Sequence, residues 1–120
     1  MIKLLVVDDS VSSLKQISAL LEGKYEVFLA KSGSMALKIG AQEKPDIVLL
    51  DIEMPEMDGY QTFAKLKEES WYDAIPVVFI TGNKDEETKA KCLEYGAKAI
   101  LTKPVDKDSL HKCVELYHKK

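Results

Sequence analysis

Pro45-Asp46-Ile47-Val48-Leu49-Leu50-Asp51 is the stretch that decides the fold of this chain. Pro45 stops whatever helix precedes it. The run from Asp46 to Leu50, rich in Ile, Val and Leu, shows no polar alternation. It therefore predicts a strand buried on both faces. A carboxylate, Asp51, comes directly after it.

The neighbouring segments repeat the scheme. Ile2 to Val7 is apolar apart from Lys3 and reads as a strand. Val11, Leu14, Ile17 and Leu21 then recur at helical spacing, ending near Gly23. Tyr25 to Ala30 reads as a second strand, and Gly33 to Glu43 as a helix offering Met35, Ala36 and Ile39 to a core. Beyond Asp51, residues 53–58 form a loop around Pro55, and Gly59 to about Glu69 a helix with Tyr60, Phe63 and Leu66 inward. Pro76 to Ile80 is the fourth strand, and Asp85 to Tyr95 a helix closed by Gly96 at C′. Ala99 to Thr102 is a short fifth strand. The last helix, Asp106 to Tyr117, carries Leu110, Cys113, Val114 and Tyr117 on one stripe, and Lys119-Lys120 closes it with positive charge that suits the helix dipole.

Five strands alternating with five helices imply right-handed βαβ crossovers and an α/β fold, a doubly wound parallel sheet covered on both faces. The 120 residues fit one domain, 1–120. The net charge of −3 argues against direct nucleic-acid binding. No apolar run approaches the ~20 residues that span a bilayer, and Asp8-Asp9 come too early for a signal peptide. A cytoplasmic location away from membranes is the expectation. Cys92 and Cys113 lie within amphipathic patterns and are expected buried and reduced.

The residues just past the strand ends carry the chemistry. The first strand runs into Asp8-Asp9, the third into Asp51, the fourth into Thr81 and the fifth into Lys103. In an open parallel sheet such ends share one edge, where ligands bind. Two carboxylates ~4 Å apart repel by about 4 kcal/mol at an effective dielectric near 20. Asp8, Asp9 and Asp51 thus call for a shared proton or a cation. Oxygen ligands without Cys or His select Mg²⁺, Mn²⁺ or Ca²⁺, and so few protein ligands fit Mg²⁺ best, with Mn²⁺ as a substitute. A carboxylate beside Mg²⁺ and a lysine suits phosphoryl transfer, with Asp51 as nucleophile, Lys103 neutralising phosphoryl oxygens and Thr81 donating to one of them. The chain has no arginine to do so instead. Taken singly, Asp8, Asp9 and Thr81 are ordinary helix caps and Lys103 a solvated charge; their shared edge favours the functional reading.

Asp8-Asp9, the run from Pro45 to Asp51, Met54-Pro55-Glu56-Met57-Asp58-Gly59, Ile80-Thr81-Gly82, Gly96-Ala97 and Lys103-Pro104 together resemble the receiver domain of two-component response regulators along essentially the whole chain, of the single-domain, chemotaxis-regulator-like kind. The resemblance implies a flavodoxin-like sheet of order 2-1-3-4-5. It implies a phosphorylation-dependent switch, fed by a sensor histidine kinase or a histidine phosphotransfer protein and acting on a downstream target protein yet to be identified. Asp51 would be the phosphoacceptor. Asp9, Asp51 and the backbone C=O of Glu53 would bind Mg²⁺ directly and Asp8 through a water. Lys103 would pair with the phosphoryl group, its bond to Pro104 would be cis, and Thr81 would be the switch. Glu53 and Asn83 would tune the phosphorylated lifetime. One departure stands out: the aromatic usual three residues before the lysine is Ile100 here.

Other residues carry weaker expectations. Val11 and Leu14, near Pro104 and Val105, offer a docking ring, with core packing the stronger reading for Leu14. Lys89, Lys91, His111 and Lys112 lie on the face formed by the fourth helix, fifth strand and last helix. His111 and His118 read as surface residues, and Trp71 and Tyr72 as anchors of the loop before the fourth strand. Three further functions compete with the switch. An Asp-nucleophile phosphohydrolase would need an acid/base Asp at position 53 and a cap. A pseudo-receiver would not need the intact acidic pair. A receiver cut from a longer regulator would have its output beyond Lys120.

Overall fold

A computed structural model describes residues 1–119; Lys120 of the closing lysine pair lies outside the described residues. The elements alternate throughout: β1 (Lys3–Val7), α1 (Val11–Leu21), β2 (Glu26–Ala30), α2 (Gly33–Glu43), β3 (Ile47–Asp51), α3 (Gly59–Glu68), β4 (Val77–Thr81), α4 (Glu86–Glu94), β5 (Ala99–Thr102) and α5 (Lys107–Tyr117). All pairings are parallel and the strand order is β2-β1-β3-β4-β5. This is the doubly wound, flavodoxin-like sheet that the sequence led us to expect.

Period-two alternation sorts the strand residues between two cores. Leu5, Val7, Val48, Leu50, Val77 and Phe79 pack beneath α2, α3 and α4. Leu4, Val6, Ile47, Leu49, Val78 and Ile80 pack against α1 and α5. β3 and β4 are buried at every position, as their continuous apolar runs require. Each buried side chain of this size contributes roughly 1.5–3 kcal/mol.

Helix starts are set by short polar side chains. Ser10, Ser32, Asp58, Asp85 and Asp106 each accept a backbone N–H from the residue three positions on. Asp58 and Gln61 form a reciprocal capping box. Asp85 and Asp106 thus precede their helices rather than opening them. The cap of α1 is Ser10 and that of α4 is Asp85, so the acidic pair and Thr81 are not spent as caps. Gly96, at φ 100°, ends α4 in the left-handed conformation that suits glycine.

Three expectations about packing need correction. Met35 is exposed, because Gly33, Ala36 and Gly40 are the residues α2 turns inward. Tyr117, the last member of the α5 stripe, is also exposed where the helix ends. His111 is half-buried rather than on the surface. Its Nε2 lies 2.6 Å from the Leu20 carbonyl and its ring meets Tyr25 edge-on, tying α5 to α1. Trp71 covers Gly40, and Tyr72 donates to the Ile75 carbonyl at 2.9 Å, so both anchor the loop before β4. Lys119 lies beyond α5 and pairs with Asp73 at 3.0 Å.

Candidate functional site

Strand register fixes the site. Val7 lies opposite Leu50, so the next residues, Asp8 and Asp51, emerge together. Asp51 lies opposite Ile80, and Thr81 opposite Thr102, the residue before Lys103. Asp51 and Thr81 are the last residues of their strands, one position beyond the strand ends read from sequence. Alternation then divides them. Asp8, Asp51 and Lys103 continue the parity of the residues facing α1 and α5, whereas Thr81 continues the parity facing α3 and α4.

Contacts obey that division. Lys103 Nζ is 2.8 Å from Asp8 Oδ2 and 3.7 Å from Asp51 Oδ1. The first approach is a close ion pair to a buried oxygen that has no other protein donor among the described residues. The other Asp8 oxygen accepts the Ser10 N–H at 2.9 Å. Lys103 also reaches Ser13 Oγ at 3.5 Å. Asp8 and Asp51 are 2 % and 4 % exposed, while Asp9 stands in solvent. Carboxylate oxygens of the three lie within 4.8 Å of one another.

Three carboxyls share one ammonium, and the imbalance appears at Asp51. Burial and the Asp8 charge push its pKa from 3.8 up to about 7, with Lys103 pulling the other way and Asp9 adding to the rise. Burial works against the charge of Lys103, but Asp8, Asp51 and Asp9 outweigh it and raise its pKa. A hard divalent cation among these oxygens would relieve the repulsion, so the donor set fits Mg²⁺.

Thr81 is 1 % exposed, and its hydroxyl does not point its proton at Asp51. It donates to Glu53 Oε1 at 3.2 Å and accepts from the Asn83 N–H at 3.0 Å. Asp8, Asp9, Asp51 and Lys103 are therefore brought together, with Thr81 on the adjoining side of the same edge. The Lys103–Pro104 bond is cis. Leu14 is buried and Val11 is 49 % exposed, and a groove of about 260 Å³ between α1 and Pro104-Val105 runs beside Lys103. Ile100 packs half-buried on the α3–α4 side.

Sequence reasoning passed over Ser13 and the packing role of Gly59. A Cβ on Gly59 would sit 2.5 Å from the Asp51 carbonyl oxygen. The signal available for Gly59 was its place at the start of α3, directly after the Asp58 cap. No local signal marked Ser13, which is 90 positions from Lys103 in the chain.

Comparison with known proteins decides the family. The model of the response regulator receiver domain matches residues 4–115. The chain belongs to this receiver family. It is thereby a module of two-component signal transduction. Proteins similar to it include PilH of Pseudomonas aeruginosa, 37% identical over 115 residues that make up 95% of this chain and 95% of PilH. The response regulator PleD of Caulobacter vibrioides is 42% identical over 105 residues, which are 87% of this receiver but 23% of PleD. Chemotaxis protein CheY4 of Vibrio cholerae superposes with a TM-score of 0.91 at 30% identity, covering 98% of both chains. No helix of the receiver, among the described residues, is long and apolar enough to cross a membrane.

Proposed function

We propose that this receiver takes a phosphoryl group onto Asp51 from a phosphohistidine and reports its state to a partner protein. One observation carries the reading: a nearly sealed Asp51 carboxylate with two further carboxylates within 4.8 Å and a lysine ammonium at 3.7 Å. Asp51, Asp9 and the backbone C=O of Glu53 would hold Mg²⁺, or Mn²⁺ in its place, with Asp8 acting through a water. When bound, the ion neutralises phosphoryl oxygens.

The chain's own residues do the rest. An Asp51 carboxylate oxygen attacks phosphorus, the P–N bond to histidine breaks, and the imidazole leaves with its electron pair. Lys103 meets the transferred oxygens from the α5 side. Thr81 turns to donate to one of them from the α4 side. Shifting a 1:99 equilibrium to 99:1 needs about 5.5 kcal/mol. Two hydrogen bonds to a charged group supply roughly 3 to 6 kcal/mol, so a bound partner completes the switch.

The donor would be a sensor histidine kinase or a histidine phosphotransfer protein. The groove between α1 and Pro104-Val105 opens beside Lys103 and suits a docking helix. Cys92 and Cys113 are buried and unbonded, which fits a reducing cytoplasm. The match to PilH, which spans 95% of both chains, supports a receiver that fills the domain 1–120. The short matched share of PleD supports a second reading, a receiver within a longer regulator. Neither needs substrate turnover beyond formation and loss of the Asp51 phosphate. Incubation with acetyl phosphate and Mg²⁺ should add one phosphoryl group, and Asp51→Asn should abolish it. Undiminished labelling of Asp51→Asn would refute the assignment.

A further inference from the structure

The Thr81 hydroxyl has one proton, and that proton is taken: it lies on Glu53. Thr81 cannot donate to a phosphoryl oxygen until it leaves Glu53, although it can keep accepting from Asn83. Glu53 and Thr81 share the wall of a cavity of about 380 Å³ with Tyr60 and with Lys91 of α4. Lys91 Nζ rests 4.3 Å from the centre of the Tyr60 ring, and among the described residues it has no carboxylate partner. Glu53 thus lines one cavity with an unpaired cation, and the other acid on that wall, Glu87 of α4, is not within ion-pair distance of Lys91 either.

A phosphoryl group on Asp51 would replace a single carboxylate charge with an acyl phosphate of roughly 1.5 to 2 negative charges, carried further out toward Glu53. It would repel the Glu53 carboxylate while claiming its hydrogen bond. The one cation on the same cavity wall, among the described residues, is Lys91. We propose that Glu53 is a two-position latch, holding the Thr81 hydroxyl in the resting receiver and turning to pair with Lys91 when that hydroxyl is withdrawn. The proposal rests on Asp51 as the phosphoacceptor. It gives α4 a way to sense the site without an aromatic on β5, where Ile100 stands. Glu53 is a positioning residue here, acting through Thr81 and α4 rather than on the phosphoryl group.

The test uses Mg²⁺ with beryllofluoride as the phosphoryl mimic, and NMR of the Thr81 methyl and Asn83 amide as the structural readout. Glu53→Ala should tighten apparent beryllofluoride binding about fivefold, the low end of ordinary site coupling. It should also move both signals in the resting protein. Glu53→Gln keeps an acceptor for Thr81 and should give about half that gain on a hydrogen-bond argument. Lys91→Met should weaken binding about threefold while Glu53 is present and have no effect once Glu53 is Ala. Equal gains for Glu53→Gln and Glu53→Ala would reduce the effect to charge repulsion and overturn the latch. So would a Lys91 effect that is the same in both backgrounds, or wild-type binding that neither substitution alters. Failure of the wild type to bind beryllofluoride with Mg²⁺ at all would instead remove the phosphoacceptor reading, and the latch with it.

Discussion

Asp51 sits where water cannot reach it freely and where a second buried carboxylate faces it, and these two conditions raise its pKa to about 7. That rise sets the sign of the pH dependence. The folded metal-free protein binds the Asp51 proton between its ordinary 3.8 and about 7, while the unfolded chain has released it. Stability from this group is therefore complete below the lower value and lost as pH climbs through the upper one. Metal-free wild type should lose a few kcal/mol between pH 4 and pH 7. Asp51→Asn should show no such decline over that interval, as read by urea midpoints. The charged cluster was legible because Asp8-Asp9, Asp51 and Lys103 each terminate an apolar run, and a parallel sheet puts those ends on one edge. The partner of Thr81 was not. It depends on strand parity and on the path of the loop after β3, which no local pattern records. His111 escaped for a similar reason, since its Leu20 partner lies 91 positions away.

The link between β3 and α3 is the element on which the site's geometry leans hardest. The Gly59 N–H donates to the Ile52 carbonyl at 2.8 Å, folding the loop back on the strand end. An added Cβ would meet the Asp51 carbonyl oxygen at 2.5 Å and Ile52 Cα at 2.8 Å, and both are backbone atoms that cannot rotate away. Gly59→Ala should cost about 1 to 3 kcal/mol by overpacking and should slow phosphorylation by acetyl phosphate, because relief of the clash displaces Asp51. An unchanged denaturation midpoint with an unchanged rate would contradict this. Element identities were legible from period and punctuation, as with the continuous runs of β3 and β4 and the Gly96 stop. Their edges were less so: Asp85 and Asp106 read as first helical residues because a capping Asp and an N1 Asp look alike until the backbone angles are known.

Across the whole molecule, the two cores fix the sheet and the sheet fixes the site. Its rim gathers three carboxyls around one ammonium, a charge arrangement that stability alone does not favour. Mg²⁺ should therefore stabilise the folded protein by about 2.7 kcal/mol at a hundredfold excess over its dissociation constant. The gain should grow as pH passes about 7, since the ion competes with the Asp51 proton. Asp9→Ala should remove most of it, and thermal melts with and without Mg²⁺ will show whether it does. Fold class came within reach of the sequence because alternating strands and helices imply right-handed parallel crossovers, whereas the strand order followed only from the resemblance to receivers. The fine placement of Met35 and Tyr117 stayed out of reach, because each lies at the margin of its helix's buried stripe and neighbouring residues settle which way it faces.

On the proposed function, Asp51 alone among the carboxyls of the chain receives the phosphoryl group. Borohydride trapping after incubation with acetyl phosphate and Mg²⁺ converts an aspartyl phosphate to a stable reduced residue that peptide mass spectrometry locates. Reduction is expected at position 51 alone. Reduction at Asp8, Asp9 or another carboxylate, with Asp51 recovered intact, would contradict it.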